Sequence, residues 1–242
     1  MQLIRREMDD YRILLRNVPS LVITLFVVSV IMMNLLANKE LISVKYFALD
    51  CGFVLSWISF LCMDMICKRF GARAAAKISL LALVVNLCAT LIFKIMSMTP
   101  GMWGEYYSTG LTEVNDGLNA TFGGSWYVVF GSSVAMLAAA LCNSFINHTV
   151  AKHLRSDGYK AFAARSFVST GVAQFVDNLT FALIVSYHFF GWSAAQVLVC
   201  SLTGAVAELL CEVVFSPFGY RVSQQWETEN VGQQYLDYVF SK

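Results

Sequence analysis

Residues 78–98 read ISLLALVVNLCATLIFKIMSM. From Ile78 to Phe93 the run carries no charge, and its one amide is Asn86. A helix rises 1.5 Å per residue, so ~20 mainly apolar residues cross the ~30 Å hydrocarbon core of a bilayer. This run has that length. It does not read as a barrel strand, which takes ~9–11 residues and alternates polar with apolar.

Five more stretches of similar character flank it: Val18–Ala37, Leu41–Ile66, Trp126–Ile146, Ser166–Phe190 and Ala194–Phe215. The whole chain of 242 residues is 57% hydrophobic and 14% charged, whereas a soluble domain carries about 25% charge. The charges are also unevenly placed. Fourteen of the 17 Lys and Arg fall before the first run, after the second, after the fourth and after the sixth. Basic loops stay in the cytoplasm. The expectation is therefore an all-α membrane protein: six transmembrane helices in a compact bundle, N and C termini cytoplasmic. Residues 1–17 form a basic, amphipathic tail, 18–216 the membrane domain and 217–242 a second cytoplasmic tail. No small-residue cleavage site follows the first run, which reads as a retained helix.

Several classes are excluded by what the chain lacks. Net charge is +1, so no basic field suits nucleic acid. There is no Walker A sequence, no H-E-x-x-H and no G-x-S-x-G, so the common hydrolytic motifs are missing. The seven cysteines form no C-x-x-C pair and the three His are scattered, which leaves no zinc spacing. No enzyme, cofactor or metal site is expected, and the partners are the bilayer and a small solute.

The informative residues are polar ones inside apolar runs. A charge near the bilayer centre costs ~2.5–3.5 kcal/mol on insertion scales, so it faces a cavity or a partner. The first run ends in Asn34, Asn38 and Lys39; the second carries Asp50, Trp57 and Asp64, placed on one face if the run is a single helix. Gln174, Asp177, Asn178 and Phe181 recur at three- and four-residue spacing in the fifth run, as do Glu208 and Glu212 in the sixth. Interhelical hydrogen bonds that only fix packing would use the same residues. So many on one bundle point to a small polar solute or an ion.

Four segments resemble the VUT (vitamin uptake transporter, YhhQ-like) family of queuosine-precursor transporters. Asn34-Leu-Leu-Ala-Asn-Lys39 is similar to its N-x-x-x-N-K signature. Asp64-x(6)-Gly71-x-Arg73 resembles its D-x-x-x-E-x-Y-G-x-x-x-R segment, and Arg165-Ser-Phe-Val-Ser-Thr170 with Gln174-x-x-Asp177 and Phe181 resembles its fifth-helix signature. Glu212-x(4)-Pro217 also fits. The likeness implies import of a purine-like 7-deazaguanine base across the bacterial plasma membrane by secondary transport. It also implies kinship with the substrate-binding subunits of energy-coupling-factor (ECF) importers. A coupling ion, a second copy and an ECF module are the further partners to consider.

On this reading the substrate-binding candidates are Asn34, Asn38, Lys39, Trp57, Arg165, Gln174, Asp177, Asn178, Phe181 and Glu208. Asp64, Lys68 and Glu212 are candidates for a charge pair or for coupling. The chain has Lys68 where the family has Glu, Ser166 where it has Asn, and Glu208 where it has Lys. The first and third exchange sign, so Lys68 is expected to pair with Glu208 or Glu212. Two rival readings are an ECF-type binding subunit that needs an ATPase partner, and a membrane scaffold without a transported ligand.

Overall fold

A computed structural model describes residues 2–99, 108–110, 112–153 and 159–241, and within these the side chains other than those of 2–4, 144, 145, 147–153, 159–166 and 169. Residues 100–107 and 111, between the third and fourth apolar runs, therefore lie outside the described residues.

Helix α1 spans Gln2–Asn17 and α2 spans Ser20–Leu36. They meet at 105°. Pro19 sits at the bend as the residue before α2, where its missing N–H and fixed φ cost nothing. The chain then makes a hairpin, β1 Glu40–Val44 and β2 Phe47–Asp50, antiparallel with Val44 opposite Phe47 and Ser43 opposite Ala48.

This hairpin corrects the expected helix over Leu41–Ile66: α3 begins only at Phe53 and ends at Phe70. Asp50 is the reason. Its Oδ1 accepts the N–H groups of Gly52 at 2.7 Å and Phe53 at 3.2 Å, which ends one element and opens the next. A Cβ at Gly52 would collide with the Met33 carbonyl on α2, so only glycine lets the hairpin close against that helix. Asp50 consequently does not share a helical face with Trp57 and Asp64.

Helix α4 is Ala72–Met96, α5 Thr112–Gly124 and α6 Trp126–His153. Helix α7, Tyr159–Phe181, continues through a π-helical turn Ala182–Ser186 to Phe189. Helix α8 is Ala194–Thr228 and α9 is Gln233–Phe240. The start of α8 is set by a reciprocal cap. Ser193 Oγ accepts the Gln196 N–H at 3.3 Å, and Gln196 Oε1 accepts the Ser193 N–H at 3.0 Å. The helix then passes through Pro217 without ending.

Among the described residues, Ala72–Met96, Thr112–Asn143 and Ala194–Thr228 are long and apolar enough to cross a membrane, with α1 and α2 a further bent pair. The chain is a helical membrane protein by composition and by packing. On α8, Leu198, Leu202, Val206, Leu210 and Val214 recur every four residues and are 50–69% exposed. On its other side Ser201, Gly204, Ala205, Glu208 and Glu212 are buried. An apolar face turned outward and a polar face turned inward suits a lipid solvent.

The main apolar core lies where α1, α2, α3, α4, α8 and α9 meet, around Leu14, Phe26, Ile66, Phe70, Ile78, Trp226 and Tyr235. Phe70 touches both Trp226 and Tyr235, with ring centroids 6.2 Å apart in each case. Lys77 of α4 holds α1 there through ion pairs to Glu7, at 2.8 Å, and to Asp10.

Candidate functional site

Helices α3, α7 and α8 enclose a polar seam. Their close approach depends on small residues: a Cβ on Gly204 would stand 3.0 Å from Asn178 Oδ1. Across this contact Asn178 Nδ2 donates to Glu208 Oε2 at 2.9 Å, and also to the Gln174 carbonyl at 2.9 Å. Toward the α1–α9 end, Gln174 Nε2 donates to Glu212 Oε2 at 3.4 Å. The Ser56 hydroxyl faces Glu208, and the Thr170 hydroxyl and the Asp64 carboxyl face Glu212. Asp177 is half-buried and lies within the electrostatic reach of Glu208.

Toward the hairpin end the seam opens into a cavity of about 390 Å³. Asn38, Asp50, Asn178, Phe181, Ser186 and Ser201 line it, with Phe190 and Trp192 at its aromatic side. The π-helical turn supplies Ala182 and Ser186 to this wall; such turns are frequent at functional sites because they re-aim side chains. Asn38 is fixed from both ends. Its Nδ2 donates to the Leu35 carbonyl at 3.0 Å and its Oδ1 accepts from the Tyr127 hydroxyl at 3.4 Å. Burial pushes the Asp50 carboxyl above its ordinary range, while the Gly52 and Phe53 N–H groups pull against that shift.

The structure therefore joins Asp64, Gln174, Asn178, Glu208 and Glu212 in one seam, and brings Asn38, Asn178 and Phe181 to one cavity. Other expected residues stand elsewhere. Asn34 is buried, but its amide donates to Val30 of its own helix at 3.0 Å. Lys39 is exposed and does not line the cavity. Trp57 stacks on Phe215, centroids 3.9 Å apart, so that ring face is taken by a neighbouring side chain. The side chain of Arg165 lies outside the described residues. The pairing of Lys68 with Glu208 or Glu212 is not what the structure holds. Lys68 Nζ sits 3.4 Å from the Tyr220 ring centroid, and Glu227 is the carboxylate whose field it feels. The reason is helical rise: twelve residues separate Glu208 from Tyr220 and eight separate Glu212 from it, about 18 Å and about 12 Å along α8.

Asp50, Ser186 and Ser201 were not among the expected site residues. For Ser201 the signal was present in the sequence. Ser201, Gly204, Ala205, Glu208 and Glu212 follow helical spacing, and the apolar residues between them take the opposite face. Ser186 and Asp50 depended on a π-helical turn and a hairpin that no period announces.

A family model with the description "Putative vitamin uptake transporter" matches residues 50–222. No curated protein and no solved structure gives a significant match.

Proposed function

We propose that this chain, which belongs to the vitamin uptake transporter family, imports a queuosine precursor, a 7-deazaguanine base, by secondary transport across the bacterial plasma membrane. The proposed arrangement is six crossings with both termini in the cytoplasm. Helices α2, α3, α4, α6, α7 and α8 would cross, α1 would lie along the inner surface, and the hairpin end would face outward. The bias of Lys and Arg toward the α1–α9 end supports that orientation.

The observation that carries the reading is the place of Asn178. It lines the cavity and at the same time holds Glu208 in the seam, so a solute in the cavity is one side chain away from the buried carboxylates. A volume of about 390 Å³ falls within the ~300–1,000 Å³ usual for small-molecule sites. A guanine-like base presents adjacent N–H donors on one edge and acceptors elsewhere. Carboxylates such as Asp177, Glu208 and Asp50 match the first, and the amides of Asn38, Gln174 and Asn178 match either kind. Phe181, Phe190 and Trp192 offer flat apolar faces to the ring.

The test is thermal stability and uptake of the purified protein, alone in proteoliposomes, against a panel of 7-deazaguanines, pterins and vitamins. A shift and uptake confined to the deazaguanines is the expected outcome. A response to another heterocycle alone reassigns the substrate, and uptake only after ATPase subunits are added replaces secondary transport with the ECF-type reading.

A further inference from the structure

The buried carboxyl groups on the α1–α9 side of the cavity are short of hydrogen-bond donors. Glu212 is 4% exposed and Gln174 fully buried. Glu212 Oε2 receives the Gln174 amide, yet Glu212 Oε1 and Gln174 Oε1 have no hydrogen-bond partner among the described residues. The group beside Glu212 on α3 is the Asp64 carboxyl, within hydrogen-bond reach. Two carboxyl groups at that separation bond only if one carries a proton, because two carboxylates offer acceptors alone and repel.

Among the described residues, no cation is hydrogen-bonded or ion-paired to this carboxyl pair. On α8 the neighbouring ionisable group is Glu208, and on α7 Asp177 adds a further carboxyl within reach of Glu208. On α3 the Cys67 thiol lies in the field of Asp64, and Lys68 is turned to Tyr220. Helix α2 has no ionisable side chain. On α4, Arg73 and Lys77 lie in the first two turns, with Lys77 held by Glu7 and Asp10, and Lys94 lies in the last turn. Arg165 stands on α7 five residues before Thr170, its side chain outside the described residues. Among the described residues no cluster of His, Cys, Asp and Glu could hold a metal ion. The Gln174 amide and the Thr170 hydroxyl serve Glu212, but between the two carboxyl groups there is no donor among the described residues, and the smallest donor is a proton.

We propose that the Asp64–Glu212 carboxyl pair binds one proton and couples it to import. This rests on the transport reading above and adds the coupling ion to it. In the outward state the pair takes a proton from the outer solution and shares it, which holds α3 against α8. After the solute enters from the hairpin side, the proton leaves to the cytoplasm. Two carboxylates then face each other, and their repulsion separates the helices on the α1–α9 side, which frees the path for the solute. One proton and one neutral base cross per cycle.

The experiment uses the full chain in proteoliposomes with 7-cyano-7-deazaguanine as probe. With the outer solution one pH unit more acidic, accumulation of about tenfold is expected for one proton per base, a factor equivalent to about 1.4 kcal/mol. Glu212→Gln and Asp64→Asn should abolish this accumulation while counterflow exchange of the base persists. Exchange in the unaltered protein with no response to the gradient would overturn the coupling and leave the substrate reading standing. A second measurement does not depend on the solute. The infrared C=O band of a buried carboxylic acid should be present in the unaltered protein at neutral pH and weakened in each single variant. A band of unchanged intensity in both variants would overturn the shared proton, whatever the panel of solutes shows.

Discussion

At the α1–α9 end, Phe70 meets Trp226 and Tyr235, and Leu14, Ile66 and Ile78 fill the space around them with almost no exposure. Higher in the bundle, α7 and α8 touch through Gly204 and Asn178, and what they bury is Gln174, Glu208 and Glu212. The first contact is large, apolar and saturated. The second is small, polar and incompletely satisfied, with acceptor oxygens left over. Interlocked rings lose dispersion contacts if they separate even slightly. A polar seam between small residues can exchange one partner for another. The difference assigns rigidity to one end and ligand exchange to the other.

The largest expected effect tests the rigid end. Phe70→Ala should cost ~3–5 kcal/mol of stability, since it empties a site lined by Trp226 and Tyr235. Melting in detergent should fall sharply, while the folded fraction keeps its affinity for the solute. A parallel loss of affinity in folded protein would show that the two regions are not separate.

Next comes Asp177, beside the seam and within the electrostatic reach of Glu208. Asp177→Asn keeps the size but turns one acceptor into a donor that would oppose an N–H edge. Removing a charged partner from a buried hydrogen bond costs ~2–5 kcal/mol of binding, roughly 30- to several-thousand-fold in affinity. Isothermal titration of the folded variant measures it. Near-native affinity would take Asp177 out of the site and leave Glu208 as the carboxylate to examine.

The smallest effect is expected outside both regions. Lys39 is exposed and away from the cavity lining, so Lys39→Ala should change affinity by less than about 0.5 kcal/mol, the usual range for surface substitutions. A tenfold loss in the same titration would return Lys39 to the binding site.

Some of this organisation is legible in the amino-acid sequence. The i, i+3, i+4 recurrence of Gln174, Asp177, Asn178 and Phe181 put them on one side of a helix, and three of the four do take part in the seam or the cavity. The spacing of Glu208 and Glu212 did the same for α8. Trp57 was different. An aromatic in a polar row reads as a ring face for a ligand, but Phe215, more than 150 residues later, occupies it. Nothing local to Trp57 records that neighbour. Lys68 failed in the same way, since the chain shows charges of opposite sign but not the distance along α8 that keeps Glu208 from reaching it.

The amino-acid sequence by itself determined that this chain is helical, that lipid is its solvent, and which residues must hide from that solvent. These follow from length, hydropathy and period, which are properties of neighbours along the chain, and the family motifs are equally local. The tertiary structure alone decided that residues 40–50 form a hairpin, that Asp64 and Glu212 stand together, and that Asn178 joins the cavity to the seam. Hydropathy could not tell a strand pair from a helix there, because both satisfy their own backbone hydrogen bonds and both are apolar. Nor could it match carboxyl to carboxyl, because that meeting depends on where three helices cross, and the small residues that permit the crossing carry no charge to announce it.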